Sequence, residues 1–105
     1  MRKIAIAALT IATLFSQAAA ADQVLAMRSG CMGCHKTDAK LVGPAFKDVA
    51  AKYASEAGAV DRLAAKVKAG STPGEPLLWG TTAMPPSAAS LDDIKGVITW
   101  MMSFK

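Results

Sequence analysis

The chain has 105 residues, with 12 lysines and arginines against 8 acids and a formal charge of +4. That length allows one domain, and the lysines from Lys36 to Lys95, scattered along the chain, form neither a basic run nor the aromatic interleaving of a nucleic-acid footprint. They make either a mild docking face or an ordinary solvated surface.

Met1-Arg2-Lys3 opens the chain, residues 4–15 are apolar apart from two threonines, and Ala18 to Ala21 are all small. This is the pattern of a secretory signal, with cleavage after Ala20 or Ala21. The apolar run is too short to span a bilayer comfortably. Residues 1–21 are therefore expected to be removed, leaving a single domain over 22–105. Loss of Arg2 and Lys3 lowers the formal charge by two.

A domain this small buries little surface and usually needs a disulfide, metal or cofactor to hold it. Its two cysteines lie only two residues apart, so a disulfide between them would constrain the unfolded chain very little. Another staple is required.

In chain order, Asp22 to Ser29 reads as a short helix, with Val24, Leu25 and Met27 apolar and Gly30 ending it. Gly43-Pro44 marks a turn. Pro44 suits the first turn of a helix running to about Ala54, with a stripe of Phe46, Val49, Ala50 and Tyr53. After Gly58 a third helix spans Ala59 to Ala69, with Val60, Leu63, Ala64 and Val67 on one face and Gly70 as its stop. Ser71 to Ala89 holds four of the five prolines together with Trp79 and Met84. A loop this long in a small domain is functional or disordered, and its apolar residues argue for order. Ser90-Leu91-Asp92-Asp93 resembles a capping box opening a last helix that bears Ile94, Val97, Ile98 and Met101. The expected class is all-α with one long ordered loop.

Cys31-Met32-Gly33-Cys34-His35 carries the chemistry. Two thiols at this spacing can add across the two vinyl groups of one haem, and the next histidine is placed to ligate the iron. A thioredoxin-like pair belongs with a βαβ pattern, and no strand is evident. A structural zinc site needs four ligands as a rule, and there is only one histidine. Covalent haem, attached after export, fits best.

With one histidine, bis-histidine ligation is excluded. Met32 is held between the cysteines, and Met27, Met101 and Met102 lie on helices where core packing is expected. Met84, in the Pro-rich loop, has enough chain to reach the opposite face and is the expected second ligand. Its thioether favours the ferrous state and a raised potential, and Pro85-Pro86 stiffens its loop. A closed iron favours electron transfer. The alternative is a haem enzyme or gas sensor in which Met84 dissociates. Trp79 is plain core, a partner of a haem propionate through its indole N–H, or both. Pro44 is a helix start only, or its carbonyl accepts the second N–H of His35 and fixes the tautomer.

These residues, continuing through Leu41-Val42-Gly43-Pro44-Ala45-Phe46-Lys47-Asp48-Val49-Ala50-Ala51-Lys52-Tyr53, Trp79-Gly80 and Met84-Pro85-Pro86, resemble the small bacterial class I c-type cytochromes of the c-551 kind over essentially the whole mature chain. The resemblance implies four to five short helices around one covalently bound haem c, the first and last helices crossing through Val24, Ala26 and Met27 against Val97, Trp100 and Met101. It implies Cys31 and Cys34 as attachment points, His35 and Met84 as axial ligands, Pro44 as acceptor from His35 and Trp79 as propionate partner. Lys66 stands where the family often has a propionate-binding arginine, and an ammonium lacks the bidentate fork. Ser87 stands where an asparagine often supports the methionine sulfur. The stretch from Gly70 to Trp79 is about four residues longer than in the relatives. A monomeric periplasmic carrier is implied, working between a quinol-oxidising complex and a terminal oxidase or nitrite reductase through weak, transient encounters.

Overall fold

A computed structural model describes residues 22–104, so the expected signal segment, residues 1–21, lies outside the described residues. Residues 22–28 are helical (α1), followed by α2 (Phe46–Tyr53), α3 (Ala59–Ala69) and α4 (Leu91–Met101). Short 3-10 turns cover Cys31–Gly33 and Met102–Phe104. Among the described residues there is no strand, and no helix is long and apolar enough to cross a membrane.

Glycines and charges set the helix bounds. Gly30, after α1, and Gly58, before α3, adopt the left-handed conformation, with φ of 78° and 76°. Asp48 and Asp61 sit in first turns and Lys52, Lys66 and Lys68 in last turns, each complementing its helix dipole. At the start of α4 the Asp93 N–H donates to Ser90 Oγ at 3.1 Å, the first half of the expected capping box.

The expected stripes face inward. Phe46, Leu63, Ala64, Ile94, Ile98 and Met101 form one buried cluster with Ala59, and Val49, Tyr53, Val60, Val67 and Trp100 pack against it. The main helix pair is α3 with α4, and the C-terminal 3-10 turn packs on α2. An edge-on aromatic chain, Phe46 to Trp100 (6.0 Å) to Phe104 (5.0 Å), closes that side.

Three sequence expectations need correcting. Val24 and Met27 are 50% and 60% exposed, whereas Ala26 is fully buried. The approach of α1 to α4 runs instead through Leu25, whose Cδ2 lies 3.0 Å from where a Cβ at Gly96 would stand. Val24 and Met27 are three residues apart and so share a face, one that is turned outward. Second, α2 starts at Phe46 and ends at Tyr53, with extended Ala45 as its N-cap. Pro44 therefore precedes the helix and is not in its first turn. Third, Met27 is not a core residue, although Met101 is.

Candidate functional site

The attachment motif is built by a single tight turn. The N–H groups of Cys34 and His35 both donate to the Cys31 carbonyl, at 3.2 and 3.0 Å. This wraps the three side chains around one turn of backbone. Both thiols are free, Cys31 half-buried and Cys34 exposed. Burial pushes the Cys31 thiol up.

From His35 the chain returns to form a cradle for the imidazole. The Gly43 N–H donates to the Cys34 carbonyl at 2.7 Å, and the N–H groups of Phe46 and Lys47 donate to the carbonyls of Lys36 and Thr37, each at 2.9 Å. Gly43 passes so close to the ring that a Cβ there would collide with Cε1 and stand 2.8 Å from Nδ1. Phe46 also stacks on the imidazole.

The Pro44 carbonyl lies 2.8 Å from His35 Nδ1. A carbonyl only accepts, so Nδ1 carries the proton, and in the neutral ring the Nε2 lone pair is left for a metal. The displaced start of α2 makes this possible. Ala45, not Pro44, supplies the first helical acceptor, taking the Asp48 and Val49 N–H groups at 3.1 Å. The Pro44 carbonyl stays outside the helix ladder. With no helical N–H to accept, the Pro44 carbonyl is left to the histidine.

Met84 is held at the C-terminal end of α3. Its N–H donates to Ser71 Oγ and its carbonyl accepts from the Ser71 N–H, both at 2.8 Å. The Ser87 N–H donates to the Val67 carbonyl at 3.3 Å. Gly70, buried with φ 79°, lies against this segment so tightly that a Cβ would stand 2.7 Å from Pro86 N. Lys68 adds a bond to the Ala89 carbonyl at 2.6 Å. Ser71 and Gly43 were not singled out from sequence. Gly-Pro signalled a turn but not its nearness to a ring, and Ser71 resembles any loop serine until the chain closes on it thirteen residues later.

Trp79 is half-buried and Lys66 exposed. Ser87 Oγ accepts from the Ala89 N–H at 3.2 Å, a local turn, and no hydrogen bond joins it to the Met84 sulfur. The Lys40 ammonium lies 3.3 Å from where a Cβ at Gly80 would be, which brings the histidine-side and methionine-side loops to one edge. Beside that edge Leu41, Val42, Leu77 and Leu78 are 39–66% exposed. Open apolar surface of this kind gains about 25 cal/mol per Å² when covered. Two thiols one turn apart, an imidazole with its free nitrogen defined, a methionine on the loop that meets the histidine side near Gly80, and exposed apolar residues beside that edge fit haem c.

The comparisons agree. The sequence matches the family described as Cytochrome c over residues 14–105. It is 52% identical over 85 residues to cytochrome c-551 of Allochromatium vinosum, covering 80% of this chain and 86% of that one. It is 44% identical over 99 residues to cytochrome c-551 of Pseudomonas aeruginosa, covering 92% and 91%. The crystal structure of wild-type Nitrosomonas europaea cytochrome c552 superposes with a TM-score of 0.72 at 40% identity, over 79% of this chain and 99% of that one. With the helical fold and the attachment motif in place, this chain belongs to the cytochrome c family as a small class I monohaem cytochrome, an electron carrier whose cofactor is covalent haem c.

Proposed function

We propose that the protein is a monomeric periplasmic carrier of single electrons, exported by residues 1–21 and working between a quinol-oxidising complex and a terminal oxidase or nitrite reductase. Cys31 and Cys34 hold the haem as thioethers, and His35 and Met84 are the axial ligands. Haem c, once bound, takes up one electron and returns it.

The observation that carries this reading is the bond from His35 Nδ1 to the Pro44 carbonyl at 2.8 Å. It directs Nε2 toward the metal and raises the basicity of the ring. Gly43 and Phe46 stop the ring from rotating. The backbone of Met84 is pinned at both its N–H and its carbonyl, which supports a thioether that stays in reach in both oxidation states. A closed iron leaves no site for a substrate, which is why the protein is read as a carrier and not an enzyme. Trp79 and Lys66 serve the haem propionates, Lys66 through a single ammonium contact, and Ser87 lies beside the Met84 ligand.

The test is the reaction of the native ferrous protein with carbon monoxide, run beside electron exchange with purified partner complexes. Slow or negligible carbon monoxide binding with fast electron exchange is expected. Rapid carbon monoxide binding would overturn the closed-iron reading and favour a gas-binding or enzymatic role.

A further inference from the structure

We propose that Ser71 is a positioning residue for the distal ligand: its hydroxyl and its backbone N–H clamp Met84 and set how readily the methionine leaves the iron. This rests on the reading of Met84 as the axial ligand.

The clamp is reciprocal. Ser71 Oγ accepts the Met84 N–H and the Ser71 N–H donates to the Met84 carbonyl, both at 2.8 Å. Both backbone hydrogen-bonding groups of the residue that bears the ligand are therefore satisfied by one partner. That partner directly follows Gly70, the buried stop of α3, whose backbone leaves no room for a Cβ against Met84, Pro85 and Pro86. Ser71 is thus fixed to the packed helical core, and Met84 is fixed to Ser71. Pro85 and Pro86 have no N–H of their own, so the next donor along the segment is Ser87, bound to Val67. The tie has a second consequence. Ser71 and Met84 close the intervening residues 72–83 into a separate loop, so the length of that stretch puts no tension on the ligand.

Without the Ser71 hydroxyl, the Met84 N–H is left half-buried with no partner in the ligated geometry. It regains a partner, water, when the loop swings out. The imbalance favours the detached state by roughly two- to tenfold, the worth of one such hydrogen bond. A threonine in place of serine keeps the oxygen and restores the clamp.

The test uses the oxidised holoprotein as wild type, Ser71→Ala and Ser71→Thr. Imidazole, which must displace Met84 to bind, is titrated against the methionine–iron charge-transfer band, and denaturant unfolding is followed in parallel. Ser71→Ala is expected to bind imidazole roughly two- to tenfold more tightly than wild type, with Ser71→Thr close to wild type. Equal imidazole affinity in wild type and Ser71→Ala, with the band present in both, would overturn the clamp and leave Met84 ligation standing. A wild-type protein lacking the band would overturn ligation, and the clamp with it. If Ser71→Ala does not fold, amide hydrogen exchange at Met84 in the wild-type protein decides. Slow exchange supports the clamp, and exchange at the rate of an open amide refutes it.

Discussion

Phe46 lies against the His35 imidazole, with ring centroids 5.2 Å apart and planes 21° from parallel. The same ring is 4% exposed and meets Trp100 edge-on at 6.0 Å. One side chain therefore belongs to the helical core and to the cofactor site at once. The fold positions the histidine by making it a wall of its own core.

Phe46→Ala should cost about 3–5 kcal/mol, the usual range for deleting a buried aromatic ring. Phe46→Leu keeps much of the volume and removes the stack, and should cost less than about 1.5 kcal/mol. Denaturant unfolding of the two holoproteins measures both. Equal losses would mean that the aromatic stack on His35, and not the filled volume, carries the contribution of this ring.

Gly43 and Gly33 form a matched pair for the histidine cradle. A Cβ at Gly43 collides with the imidazole, whereas a Cβ at Gly33 meets nothing within 4 Å. Gly43→Ala should displace the ring and break its bond to Pro44, visible as a shift of the His35 Nδ1–H proton resonance and a lower unfolding midpoint. Gly33→Ala should fall within about 0.5 kcal/mol of wild type.

Gly58 and Gly70 make the corresponding comparison on the methionine side. Their φ values are 76° and 79°, but only Gly70 faces other backbone, that of Met84 to Pro86. Gly58→Ala should pay only the left-handed strain, about 1–2 kcal/mol. Gly70→Ala adds a collision with the ligand loop, so it alone should weaken the methionine–iron band. If both variants weaken the band equally, Gly70 has no special tie to the ligand.

How much could be read beforehand depended on whether a residue's role is local. Gly58 and Gly70 bracket a clean 3.6-residue pattern, and α3 spans Ala59–Ala69 as read. The stripes of α2 and α4 were legible for the same reason. The outward turn of Val24 and Met27 was not, since four consecutive apolar residues, Val24 to Met27, in a seven-residue helix do not say which face is covered. Pro44 illustrates the limit at the site itself. Its two possible roles were visible, but choosing between them required knowing that the helix ladder starts one residue later. The Ser71–Met84 pair was invisible because it forms only when the long loop closes.

Ser90→Ala should remove the bond from the Asp93 N–H and destabilise the protein by about 1 kcal/mol. The haem spectrum should not change, because the bond that is lost involves neither His35 nor Met84. Ser90→Asp should recover most of the loss. A spectral change in Ser90→Ala would show that α4 and the ligand loop are coupled more tightly than their contacts indicate.

The most direct measurement is the absorption spectrum of the oxidised protein, wild type beside Met84→Ala. The expected result is a low-spin haem with a methionine–iron charge-transfer band in the wild type, and loss of that band in the variant. A high-spin wild-type spectrum, or a band that survives Met84→Ala, would contradict the closed His35–Met84 coordination on which the carrier function rests.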